Sequence, residues 1–99
     1  MTYQRVTLFP LQPGTDLTKV KELANRFSVL LSDLDGNRST CLDLLGNGSQ
    51  LRSVSVWDTE ENAESATARI REPATQEMTG MLTGPPTTTI GQVIHGSVH

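Results

Sequence analysis

The apolar positions of this chain change period several times, and each change marks an element. From Tyr3 to Leu11 the residues alternate: Tyr3, Arg5, Thr7 and Phe9 point to one face of a strand, while Gln4, Val6 and Leu8 point to the other. Pro10 and Pro13 limit ladder pairing, and Pro13-Gly14 makes a turn. Thr15 or Asp16 can cap the helix that follows. In it Leu17, Val20, Leu23, Ala24, Phe27, Leu30, Leu31 and Leu34 recur at three- and four-residue steps, with Lys19, Lys21, Glu22, Asn25 and Arg26 off the stripe. Asp35-Gly36 is expected to stop this helix, with Gly36 as its left-handed cap. A second strand spans Ser39 to Leu45, with Thr40, Leu42 and Leu44 on one face. Gly46-Asn47-Gly48 then turns the chain into a third strand, Leu51 to Trp57, so the pair reads as a hairpin.

The stretch from Arg52 to Asn62 switches from strand alternation to an acid-rich helix start, which puts Trp57 at the mouth of a strand-to-helix turn. Sheets commonly carry their ligand sites at such turns. Asp58 with Glu61 resembles a capping box. Ala63, Ala66 and Ile70 carry the second helix, small enough to lie close to a sheet. Pro73 is expected to interrupt it, with a further helical piece from Ala74 to Leu82. Gly84-Pro85-Pro86 ends that piece, and Thr87 to Val98 forms the last strand. The order strand, helix, strand, strand, helix, strand predicts an α+β fold, a ferredoxin-like βαββαβ sandwich, as a single domain over residues 1–99. Two helices cover one face of such a sheet. Val54 and Val56, and on the last strand Ile90 and Ile94, are assigned to the uncovered face, which a small chain cannot leave in water. A symmetric homodimer with its two sheets face to face is the expected solution.

Composition sharpens this picture. Aromatic residues make up only 4% of the 99, so the core is modest and an oligomer would bury more apolar surface. The net charge is −3 and the eight basic residues are scattered, which leaves no stripe for a phosphate backbone and argues against nucleic acid. No stretch approaches the roughly 20 apolar residues of a membrane span, and Met1 to Leu8 does not read as a signal peptide. The lone Cys41 cannot form an internal disulfide and lies in a strand-like run, where a buried inert thiol is expected. The expected setting is soluble and cytoplasmic.

The context Val54-Ser55-Val56-Trp57-Asp58-Thr59-Glu60-Glu61-Asn62-Ala63, together with the Pro13-Gly14-Thr15 entry to the first helix, resembles the antibiotic-biosynthesis-type monooxygenases of the dimeric α+β barrel superfamily. The resemblance spans nearly the whole chain as architecture, although its motif content is one tryptophan in context. It implies a cofactor-free oxidation of quinols or anthrone-like polyketides, or haem binding and degradation. Other members of the superfamily are aromatic cyclases, isomerases and stress-response proteins. Haem-degrading relatives use an asparagine on the first strand, where this chain has Thr7, and a histidine on the second helix, where none lies between Glu60 and Leu82. Haem degradation is therefore disfavoured. His95 and His99 lie on the expected last strand without a second ligand cluster, so no metal site is expected.

A quinol-type monooxygenase needs an apolar pocket and polar groups that stabilise a phenolate, because the deprotonated substrate itself supplies electrons to oxygen. Trp57 and Arg5 are the candidate catalytic residues, the tryptophan bordering the cavity and the arginine facing the anion. Tyr3, Thr7, Ser55 and Met78 are the candidate substrate-binding residues. Ser53 and Ser55, on the Trp57 face, are small enough to leave a cavity beneath the helices. Each candidate has a plainer reading: Trp57 as a plug at the strand end, Arg5 as a surface charge, Met78 as core. Arg69 or Arg71 is a further candidate for stabilising the phenolate, with a plainer reading of both as helix-surface charges paired with Glu64 or Glu72. No Ser-His-Asp, Cys-His, phosphate-loop or calcium-loop pattern is present. The expectation is a homodimeric, cofactor-independent monooxygenase acting on a small aromatic, quinol or polyketide-like molecule. The alternative is a non-catalytic ligand-binding or stress-response barrel, and a cyclase or isomerase would want a general base that the sequence does not offer.

Overall fold

Six elements follow one another in the expected order: β1 (Tyr3–Pro10), α1 (Leu17–Ser32), β2 (Asn37–Leu45), β3 (Gln50–Trp57), α2 (Glu60–Glu77) and β4 (Thr87–Gln92). The structure is a computed structural model and describes residues 1–95. The strands form one antiparallel sheet in the order β2-β3-β1-β4, the ferredoxin-like arrangement. Burial alternates residue by residue along β1 and β3, as one covered sheet face requires. The core lies between that face and the helices. Phe9, Leu51 and Trp57 meet Val20, Leu23, Phe27 and Leu31 of α1 and Ala63, Ala66, Ile70 and Ala74 of α2.

The local signals act with some displacement. Asp16 caps α1 by accepting from the Thr18 N–H at 3.0 Å. The helix ends at Asp33, and Gly36, three residues further on, forms the turn into β2. Its φ of +80° is left-handed, and a Cβ there would collide with the Asn62 side chain on α2. The cap of α2 is Thr59 rather than Asp58: its hydroxyl accepts from the Asn62 N–H at 3.0 Å. Asp58 instead pairs with Arg38. Pro73 does not break α2, which runs through it to Glu77. Ile70 and Ala74 on either side are both buried, so packing holds the helix where one backbone bond is lost.

The uncovered face differs from expectation in two places. Ile90 is the register partner of Arg5, which is buried beneath the helices, so Ile90 turns toward the helices. Ile94 lies beyond β4 and is 92% exposed. Val54 and Val56 do face away, beside Val6, Leu8 and Cys41. Cys41 is exposed, not buried, because its register with Val54 places it on that open face. On the same face Arg52 donates to both carboxylate oxygens of Asp43, at 3.0 and 2.6 Å, and holds that carboxyl below its usual range. β4 ends at Gln92, short of the expected Val98, and His99 lies outside the described residues. No helix among the described residues is long and apolar enough to cross a membrane.

Candidate anion-binding cavity

Strand alternation turns Arg5 inward, and its side chain is 1% exposed. A buried guanidinium normally has a carboxylate beside it. Here the ion pairs among the described residues are Arg26–Glu77, Arg38–Asp58 and Arg52–Asp43, and Arg5 takes part in none. Its one side-chain hydrogen bond among the described residues runs from Nε to Thr67 Oγ1 at 2.6 Å. That hydroxyl in turn donates to the Ala63 carbonyl at 3.2 Å. Burial pulls the Arg5 pKa down to about 10. The group therefore remains a cation at neutral pH.

The guanidinium borders a cavity of about 300 Å³ between β1, α2 and the start of β4. β1 contributes Arg5, Thr7 and Phe9. Successive turns of α2 contribute Thr67, Ile70, Arg71, Ala74 and Thr75, and the segment leading into β4 contributes Pro86 and Thr88. Thr7 and Thr88 face each other across the β1–β4 ladder, their hydroxyls 2.9 Å apart. Phe9, Ile70, Ala74 and Pro86 supply apolar wall, and among the described residues no acidic side chain lines the space. A volume of this size lies at the small end of ligand sites. Larger grooves of about 430 and 460 Å³ lie at the β2–β3 turn and between the helices, but neither contains a buried polar side chain. Beneath Arg5, Ser53 Oγ has no partner among the described residues and borders a void of about 10 Å³.

Of the residues singled out in the sequence, Arg5 and Thr7 come together in this cavity. Tyr3 and Trp57 form the next inward register pair along the sheet and do not line it. Trp57 is fully buried, and its Nε1 donates to Ser55 Oγ at 2.8 Å. Ser55, also fully buried, is the register partner of Arg5, so the tryptophan and serine form the wall behind the arginine. Met78 is 1% exposed and packs in the core, away from the cavity. Arg71 lines the cavity and Arg69 the groove between the helices, and among the described residues neither pairs with Glu64 or Glu72. His95 is exposed beyond β4. Sequence reasoning missed Thr67, Thr75 and Thr88. Thr67, Arg71 and Thr75 recur at four-residue steps, which marks one polar stripe on α2 beside the Ala63–Ala66–Ile70 stripe.

Compared by sequence, the chain matches no protein-family model and no curated protein. Compared by structure, it is similar to Rv0793 from Mycobacterium tuberculosis at 15% identity, covering 99% of this chain and 100% of that one with a TM-score of 0.77. It is similar to SnoaB, a cofactor-independent oxygenase from Streptomyces nogalater, at 11% identity, covering 96% and 95% of the two chains with a TM-score of 0.74. A monooxygenase from the gene ActVA-Orf6 of Streptomyces coelicolor, in complex with Nanaomycin D, is 19% identical over 98% and 90% of the two chains, with a TM-score of 0.71. At these identities what is shared is architecture. The chain has the α+β fold of the antibiotic biosynthesis monooxygenase-like proteins.

Proposed function

We propose that this protein is a cofactor-independent monooxygenase acting on a small aromatic, quinol- or polyketide-like phenol. The observation that carries the reading is Arg5, a buried cation without a carboxylate partner among the described residues, bordering a cavity of ligand size. A phenol entering that cavity meets a fixed positive charge in a poorly solvated site, which favours its phenolate. Among the described residues no Asp, Glu, His, Cys or Tyr lines the cavity, so the phenolic proton leaves through solvent rather than to a general base. The electron-rich anion then reduces dioxygen. For an anthrone-like substrate the ring CH2 becomes C=O, with one oxygen atom retained and the other released as water. The carbon gives up the four electrons that oxygen takes, so the balance needs no further reductant. Thr7 and Thr88 offer hydroxyls to substrate oxygens, and Trp57 backs the arginine through Ser55.

The fold shared with a cofactor-independent oxygenase supports the reading. The same lack of a base favours a second one, a ligand-binding barrel that holds an aromatic anion without turning it over. In either case the protein is proposed to be a homodimer joined through its open sheet faces. Oxygen uptake with reduced quinols and anthrone-like phenols, without flavin or metal, separates the two functions. Saturable uptake above the autoxidation control, lost on the order of a hundredfold in Arg5→Met and weakened in Trp57→Phe, is the expected result. Uptake at the control rate across the panel, from a folded protein that still binds the phenols, would leave the binding reading.

A further inference from the structure

We infer that the substrate carries a carboxylate as well as the acidic hydroxyl, and that Arg71 is the specificity-determining residue that takes this second charge. The inference rests on the reading of Arg5 as the phenolate site. Among the described residues two arginines and no acid line the cavity, so a bound phenolate neutralises one cation and leaves the other uncompensated. The uncompensated one is Arg71, which pairs with no carboxylate among the described residues although Glu72 adjoins it in sequence. It stands one helical turn beyond Thr67, the residue that holds Arg5 Nε, so the two positive side chains serve one volume from β1 and α2.

Their exposures differ in the way such a ligand requires. Arg5 is buried and Arg71 is exposed, so Arg5 marks the depth of the cavity and Arg71 its mouth. A carboxylate is ionised in water at neutral pH and is costly to desolvate, so it belongs at the mouth. A phenol enters neutral and ionises only beside the deep charge. Between the two, Phe9, Ile70 and Pro86 offer apolar wall for a compact ring system. Guanidinium and carboxylate are matched in shape for paired hydrogen bonds, which makes arginine apt for the mouth position. The substrate class is thus a compact hydroxyaryl carboxylic acid rather than a neutral quinol.

The test is calorimetric binding of 6-hydroxy-2-naphthoate beside 2-naphthol, with the absorbance of the bound naphtholate read in the same samples. The acid is expected to bind wild type about tenfold tighter, the worth of one charge-assisted contact at a partly solvated site. That ratio should fall to about one in Arg71→Gln and invert in Arg71→Glu, by removal and then reversal of the same charge. The naphtholate band should persist in Arg71→Gln and vanish in Arg5→Met. Equal affinities in wild type, or an acid preference kept in Arg71→Gln, would overturn this inference while the naphtholate band left the Arg5 site standing. No binding of either compound and no naphtholate band would overturn both.

Discussion

Arg5 costs the free protein stability, because its guanidinium is buried without a carboxylate among the described residues. Its folded-state pKa of about 10 lies below the ordinary arginine value, so the unfolded chain holds the proton more firmly. The penalty is therefore present in full below about pH 10 and disappears as pH rises through the window between the two values. Methionine at the same position fills similar space without a charge to desolvate. Arg5→Met should accordingly stabilise the protein at pH 7 by about 2 kcal/mol, on the order of 10 °C in melting temperature, while abolishing naphtholate binding. The gap between the two proteins should narrow above pH 10. Thermal melts across pH, with and without ligand, check this. A variant less stable than wild type at pH 7 would show that the bond to Thr67 outweighs desolvation and that Arg5 is a structural residue.

At the scale of elements, the turn between α1 and β2 is locked against the start of α2. The Gly36 carbonyl accepts from the Asp58 N–H at 2.8 Å, and its missing Cβ leaves room for Asn62. Gly36→Ala should cost about 3 kcal/mol, from left-handed strain of roughly 1–2 kcal/mol and the remainder from overpacking. Adding Asn62→Ala should return only the overpacking part, read as the non-additive remainder in urea unfolding. The sequence announced Gly36 as a helix cap because a DG step after an apolar stripe looks the same in either role; only the approach of α2 distinguishes them. Pro73 misled for a related reason: the local rule predicts a break, and buried Ile70 and Ala74 override it. Strand alternation is legible wherever both faces are distinct, which puts Arg5, Thr7 and Phe9 together on one face; that this face is the covered one, and Arg5 no surface charge, only the packing of the helices shows. The last strand offers Thr87, Thr88 and Thr89 with a single inward apolar residue, so nothing in its own pattern fixes a register, and only the pairing with Arg5 shows that Ile90 faces the helices. The cavity was harder to read for the same physical reason. Its walls come from β1, α2 and β4 together, and the Trp57 signal marks only the structure behind Arg5.

At the scale of the whole molecule, one sheet face has no element packed on it among the described residues. Val6 and Val54 are register neighbours at its centre, with Cys41 beside Val54 on β2. All three belong to the face opposite the helices, and Leu8 and Val56 extend the apolar strip. Covering such a face with its own copy needs only a two-fold axis, and a standard interface would bury roughly 800 Å² on each partner. Wild type should then sediment at twice the chain mass, and Cys41, exposed in the protomer, should react slowly with a thiol reagent. Val54→Asp would bury an unpaired charge on each copy, at about 3 kcal/mol apiece. That weakens the dimer by about four orders of magnitude and should release monomer in which Cys41 reacts at the rate of a free thiol. Arg5 and its cavity lie on the far side of the sheet, so a folded monomer should still form the naphtholate band. Wild type sedimenting as a monomer with a fast-reacting Cys41 would rule out the face-to-face pairing. A dimer with an equally fast Cys41 would place the contact elsewhere, on the helices rather than the sheet.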